Sequence, residues 1–144
     1  MNTVQDILAG KGGLVHCVEP ETTALDAIRK MNEHKIGALV VAQARRVVGM
    51  FTERDVLRRV AAEERPPSSV LIRDVMTTPV TCCEPGMNLN EVRHVMKHRR
   101  IRHLPVVQDD ELIGLVSIGD VNAFYTDGQA QEIHMLHEYL YGRT

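Results

Sequence analysis

Gly49-Met50-Phe51-Thr52-Glu53-Arg54-Asp55 closes one apolar run of this chain, and Gly114-Leu115-Val116-Ser117-Ile118-Gly119-Asp120 closes another 65 residues later. Each run stops at a hydroxyl residue and places a carboxylate three positions on, where a helix would begin. Working outward, the same shift lays Val15 to Val60 on Val80 to Tyr125 without a gap, and 12 of those 46 pairs are identical. Among them are Val15/Val80, Cys17/Cys82, Glu19/Glu84, Pro20/Pro85, Met31/Met96, Ile36/Ile101, Leu39/Leu104, Gly49/Gly114 and Asp55/Asp120. Upstream, Asp6-Ile7-Leu8 answers Asp74-Val75-Met76, with three extra residues in the first copy around Lys11-Gly12-Gly13. Self-similarity at a fixed period marks a duplicated supersecondary unit, so the fold has to be read from that unit.

Within the unit, Val15 to Val18 and Val80 to Cys83 are short extended segments ended by Glu-Pro. Thr23 stands three residues before Asp26 and Asn88 three before Glu91, the spacing of a capping box. The helices they head carry Leu25, Ile28 and Met31, or Val92, Val95 and Met96, at helical spacing. Apolar runs follow, Ile36 to Val41 and Ile101 to Val107. Each is joined by a polar turn, Ala44-Arg45-Arg46 or Gln108 to Glu111, to a second run, Val47 to Phe51 or Leu112 to Val116, which reads as an antiparallel hairpin. A second helix ends each copy, Glu53 to Ala62 or Ile118 to Phe124. The spacing therefore predicts an α/β (α+β) chain of two β-α-β-β-α repeats, residues 1–65 and 66–126, packed about a pseudo-twofold axis. Pro66-Pro67-Ser68-Ser69 lies in the linker, where a helix cannot continue. A C-terminal helix is expected within residues 127–144, with Ile133, Leu136 and Leu140 on one stripe. A single unit of about 60 residues is marginal alone, so the copies are expected to cover each other and leave two equivalent clefts.

The whole chain has 144 residues, 44% of them apolar and 25% charged, with a formal net charge of -2. Its longest strongly apolar stretch, Ala38 to Ala42, is far short of the roughly 20 residues that span a bilayer, and the N-terminus lacks a signal-peptide layout. No membrane partner is expected. Cys17, Cys82 and Cys83 form no C-x-x-C pair and give an odd count, which suits a reducing, cytoplasmic setting. Only 3% of residues are aromatic and none is Trp. Stacking platforms for single-stranded nucleic acid are missing, and the near-neutral balance counts against a general polyanion binder.

The paired Thr52-x-x-Asp55 and Ser117-x-x-Asp120 spacings have a plain structural explanation, a capping box with Asp in the first helical turn. They also have a chemical one. A carboxylate at the mouth of a cleft accepts hydrogen bonds from two vicinal hydroxyls, and backbone N–H groups at the same helix start can hold phosphate. The two roles can coexist on one carboxylate.

The period, the β-α-β-β-α unit, the phrase Arg102-His103-Leu104-Pro105-Val106-Val107 and the two Gly-x-x-[Ser/Thr]-x-x-Asp ends resemble a tandem pair of CBS domains. Such a pair is often called a Bateman module; the likeness is to the short stand-alone bacterial proteins and covers about residues 4 to 126. The resemblance implies a non-enzymatic regulatory module that binds an adenosine nucleotide as ligand, not cofactor. That ligand would be AMP, ADP or ATP, or else S-adenosylmethionine or an NAD-type molecule. It also implies a homodimer and an unidentified regulated protein. By the family's pattern Asp55 and Asp120 hold ribose hydroxyls, with Thr52 and Ser117 nearby. The ligand on Asp55 would meet Val80, Thr81 and Ile101, and the ligand on Asp120 would meet His16, Ile36 and Gly37. Arg102 and His103 fall where the family often places phosphate-binding side chains; their counterparts are Gly37 and Ala38, so the two clefts are not equivalent. Arg54, whose counterpart is Gly119, is expected to make the Asp55 cleft the tighter one. The rival function is a nucleotide-independent interaction module whose C-terminal helix docks a partner enzyme or transporter.

Other features carry less. Lys97 to His103 is a basic run that equally reads as a solvated helix end. His94 and His98, and His134 and His137, have metal-compatible spacing but no local third ligand, and no metal is expected. Gly10-Lys11-Gly12-Gly13 precedes a strand and not a helix, which weakens it as a phosphate loop.

Overall fold

A computed structural model describes residues 2–126. The expected C-terminal helix and the His134/His137 pair lie outside the described residues. The chain runs α1 (Val4–Lys11), β1 (Cys17–Val18), α2 (Ala24–His34), β2 (Ala38–Gln43), β3 (Arg46–Thr52) and α3 (Glu53–Asp55). The last continues as a π-helical segment, Val56–Ala61. A 3-10 turn, Pro67–Ser69, then leads to α4 (Ile72–Val75), α5 (Leu89–Arg99), β4 (His103–Gln108), β5 (Glu111–Ser117) and α6 (Ile118–Thr126). Among the described residues no helix is long and apolar enough to cross a membrane.

Both hairpins turn at the expected places. Gln43 pairs with Arg46 and Gln108 with Glu111, leaving two-residue turns in which Ala44, Arg45, Asp109 and Asp110 all have left-handed φ (52 to 66°). Such turns match the twist of the flanking strands. The strands then alternate. In the first half Leu39, Val41 and Phe51 point into a core with Ala24, Ala27 and Met31 of α2. Ala38, Val40 and Met50 point the other way, into a seam shared with Val80, Leu112 and Leu115 of the second half. The hairpins therefore have no solvated face, which is why their burial patterns read as nearly continuous apolar runs. The Arg45 carbonyl accepts from Leu112 N–H (2.8 Å) and ties one hairpin tip to the other sheet.

The second copy departs from the expected unit first in its sheet. In the first, β1 pairs in parallel with β2, and Val40 N–H donates to His16 O (3.2 Å). The residue corresponding to Val40 is Pro105, which has no N–H to give. The extended segment at Val80 to Cys83 is reduced to one bridge, Cys83 to Val106, and the second sheet has two strands where the first has three. Capping differs too. Thr23 accepts from Asp26 N–H (3.2 Å) as expected, but Asn88 accepts from Asn90 N–H (2.7 Å) and not from Glu91.

The upstream helices cross over. Val4, Ile7 and Leu8 of α1 lie in the core of the second half, with Leu89, Val92 and Val116, whereas Ile72 and Val75 of α4 lie in the core of the first. The backbone records the exchange twice. Val4 N–H donates to Met87 O (3.0 Å) and Gln5 N–H to Pro85 O (2.9 Å); correspondingly, Ile72 N–H donates to Thr22 O (2.8 Å) and Arg73 N–H to Pro20 O (2.9 Å). The boundary at residues 65/66 divides the sequence repeat, not the packing.

This exchange explains the first glycine of each motif. A Cβ at Gly114 would stand 2.6 Å from Leu8 Cδ2, and one at Gly49 would stand 2.4 Å from Met76 Sδ and 3.2 Å from the Thr77 carbonyl. Leu8 and Met76 are matched positions of the two crossing segments, the former within α1 and the latter just past α4, so the glycines are the floor on which they rest. Gly114→Ala should cost about 1–3 kcal/mol through overpacking. In a double-mutant cycle by chemical denaturation, Gly114→Ala should cost less in a Leu8→Ala background than alone; strict additivity would show that α1 does not rest there.

Candidate functional site

Both motifs form full capping boxes. Thr52 N–H donates to Asp55 Oδ2 (3.0 Å) and Asp55 N–H to Thr52 Oγ1 (3.4 Å). Ser117 N–H donates to Asp120 Oδ2 (2.9 Å) and Asp120 N–H to Ser117 Oγ (3.0 Å). The box occupies Oδ2 in each case and leaves Oδ1 to be accounted for, and there the halves part company.

Asp55 is buried, at 4% exposure. Its Oδ1 accepts from the Thr77 hydroxyl (2.9 Å) and faces Arg59 Nε at 3.5 Å. Arg59 sits one helical turn downstream and also donates to Met76 O (2.9 Å), so cation, hydroxyl and carboxylate close on one another. Asp120 is more open, with its side chain 26% exposed. Among the described residues its Oδ1 accepts no hydrogen bond, while Oδ2 takes a second donor, Lys11 Nζ at 2.6 Å. Burial pushes the Asp120 carboxyl up, but the Lys11 ammonium and the Ser117 N–H outweigh it and hold the group below its ordinary value.

A cavity of about 330 Å³ opens beside Ser117, at the lower end of the range that holds small molecules. His16, Ile36 and Gly37 of the first half line it, with Ser117 and His103 of the second and Lys11 at the end of α1. Three residues expected to meet the ligand of Asp120 are thus brought together across the seam. The His16 ring stacks on His34 with centroids 4.1 Å apart. Burial, then the charges of His34 and Lys30, lower its pKa. His103 is also lowered, by burial first, against an upward pull from Asp120. Glu53 lies over Gly37, where a Cβ would come within 3.0 Å of its carboxylate.

The residues expected around Asp55 are not gathered on either cavity in this way. Val80 packs into the seam and Ile101 against the second core. Thr81 is half-buried and Arg102 exposed. Arg54 reaches the Arg100 carbonyl (3.5 Å), next to Ile101, but Asp55 is closed off by Thr77 and Arg59. A second, larger cavity of about 630 Å³ includes Cys17, Glu19, Thr22, Lys30 and Arg45 in its lining, and none of the expected residues. Its most prominent cation, Lys30, is engaged with Cys17 O (2.5 Å). We take the smaller cavity as the candidate site because expected residues of both halves, His16, Ile36, Gly37, His103 and Ser117, line it, and Lys11 on its wall holds the Asp120 carboxylate.

Lys11, Thr77 and Arg59 were not anticipated. The signal for Lys11 was the three-residue excess around Lys11-Gly12-Gly13, which has no counterpart in the second copy and gives α1 an extra reach toward Asp120. Among the described residues no three His, Cys, Asp or Glu side chains cluster as a metal site. His94 and His98 stack on each other at 5.9 Å. Burial pushes the Cys83 thiol up to about 12 and raises Cys17 and Cys82 as well, so none is an activated nucleophile.

The sequence pattern of the CBS domain matches residues 15–62 and 72–126. The CBS domain-containing protein CBSX3, mitochondrial, of Arabidopsis thaliana is 32% identical over 97% of this chain and 72% of its own length. The solved structure of a protein with CBS domains from Burkholderia ambifaria is 36% identical and superposes with a TM-score of 0.84 over 89% of this chain and 96% of that one. The CBS domain pair of protein MJ0100, solved in complex with 5-methylthioadenosine and S-adenosyl-L-methionine, shares the fold at a TM-score of 0.77 and 21% identity, covering 89% of this chain and 98% of that one. This chain belongs to the CBS domain family. It carries the family's regulatory module, a tandem pair of repeats.

The lowered His103 has a consequence for stability. Near the ordinary imidazole value of 6.5 the folded chain binds fewer protons at His103 than the unfolded chain does, so stability rises with pH there and falls on acidification. Asp120 acts only below its ordinary value of 3.8, outside this window. Chemical denaturation should show the protein less stable at about pH 5.5 than at about pH 7.5, with His103→Gln narrowing the difference. An unchanged difference in that variant would contradict burial of the neutral ring.

Proposed function

We propose that the module senses an adenosine phosphate, AMP, ADP or ATP, in the cleft at Asp120. The observation that supports it best is that Ser117 and Lys11, which both bond Asp120 Oδ2, line a cavity whose walls come from both halves, while Asp120 Oδ1 accepts no hydrogen bond among the described residues. A ribose diol needs two acceptors, and a carboxylate supplies them. Ile36 and the backbone at Gly37 offer a wall for the base, Lys11 supplies positive charge for phosphate, and the His16 and His103 rings, whose neutral forms burial favours, offer N–H donors. Binding of adenosine-type ligands by protein MJ0100 supports the same chemistry. The signal would be a shift in the population of arrangements of the two halves, because a ligand touching both favours the arrangement it fits. Asp55, closed by Arg59 and Thr77, serves structure in this reading. S-Adenosylmethionine and NAD-type molecules are the competing ligands, and a homodimer in the cytoplasm acting on a separate regulated protein completes the proposal.

At about a hundred times its dissociation constant, AMP should stabilise the fold by about 2.7 kcal/mol, seen as a raised Tm. Asp120→Asn should weaken binding by about tenfold or more, since it removes a charged acceptor. Asp55→Asn should instead lower the Tm without ligand and keep the AMP response. No response to any adenine nucleotide in the parent protein, or loss of the response in Asp55→Asn alone, would defeat this assignment.

A further inference from the structure

Among the described residues Lys11 is the one cationic side chain in hydrogen-bond contact with the candidate carboxylate, and it comes from the first copy's stretch that has no counterpart in the second. Its ammonium donates to Asp120 Oδ2 (2.6 Å) and to the Leu115 carbonyl (3.0 Å), while the side chain remains 38% exposed and lines the cavity. Oδ2 also accepts Ser117 N–H (2.9 Å). Both lone pairs of that oxygen are therefore taken, and a diol that grips both carboxylate oxygens has to displace the lysine. Displacement costs an ion pair at a partly buried site, and that cost is recovered only if the ligand brings an anion for the ammonium to meet. The side chain is flexible and already in the cavity, so such an anion is within its swing. Lys11 is the one lysine or arginine among the described residues lining the cavity, and the imidazoles of His16 and His103 on the same wall can add hydrogen bonds to an anion placed there.

We propose that Lys11 makes this cleft selective for phosphorylated adenosine, holding Asp120 until a ribose takes the carboxylate and then pairing with the ligand's phosphate. The inference rests on the assignment of the Asp120 cleft as an adenosine site. A neutral nucleoside displaces the ammonium and gives it nothing, and a sulfonium ligand adds a like charge beside it. The three-residue excess in the first copy is then a specificity device, and the second motif has a lysine where the first has only the fixed Arg59 and Thr77.

Calorimetric titration of the full chain with AMP and with adenosine tests this directly, using the parent, Lys11→Met and Lys11→Arg. The parent should prefer AMP over adenosine by at least about tenfold. Lys11→Met should lose most of that preference, through weaker AMP binding together with equal or tighter adenosine binding, and Lys11→Arg should retain it. Equal losses for AMP and adenosine in Lys11→Met, or an unchanged preference, would overturn the role of Lys11 and leave the adenosine site standing. Failure of the parent to bind either compound would remove both.

Discussion

Each half of this molecule is completed by the helix that precedes the other. The floor for that exchange is a glycine in each strand, Gly114 under Leu8 and Gly49 under Met76, where a single methyl group would collide with the incoming side chain. Much follows from these two close approaches. They bring α1 and α4 onto the opposite cores, so the two hairpins are held face to face and their inner strands share the seam around Val40, Met50 and Leu115. They also fix where each upstream segment ends, and so decide which side chain arrives at each capping-box carboxylate. In the CBS family's terms, the glycine of the Gly-x-x-[Ser/Thr]-x-x-Asp phrase is here a packing residue and the aspartate a capping residue, before either is anything else.

The two aspartates show how one local geometry can carry two fates. A capping box uses one carboxylate oxygen and leaves the other with two unfilled lone pairs. At Asp55 the remainder is satisfied within the fold by a hydroxyl and a guanidinium, and the group is lost to solvent. At Asp120 the cation is a lysine on a flexible stem, partly exposed, beside a cavity with histidines on its wall. A buried carboxylate with fixed partners is a structural group. The same group with one movable partner can exchange it for a ligand.

The repeat, the hairpins, their turns and the helix starts were legible because each is a local pattern: alternation, capping spacing and turn residues act over a few positions. His16, Ile36 and Gly37, which the family resemblance sets opposite the second motif, line one cavity with Ser117 of that motif. Three things were not legible. The loss of the second copy's first strand depends on Pro105 facing a particular carbonyl, which only the register of the sheet reveals. The exchange of α1 and α4 is a long-range choice that leaves the local pattern of either helix unchanged. The closure of Asp55 comes from Arg59 and Thr77, one in an ordinary-looking helix and the other in a connecting segment, and neither carried a motif. Arg54 looked the better cation because it stood inside the motif, yet its side chain points across to the Arg100 carbonyl.

The most direct measurement of the central claim is a titration of isotopically labelled protein with AMP, followed by backbone amide shifts. Saturable changes centred on His16, Gly37, Ser117 and Asp120, with Thr52 and Asp55 little moved, are the predicted result. Saturable changes centred on Thr22, Lys30 and Arg45, or on Thr52 and Thr81, would place the ligand elsewhere and contradict the account.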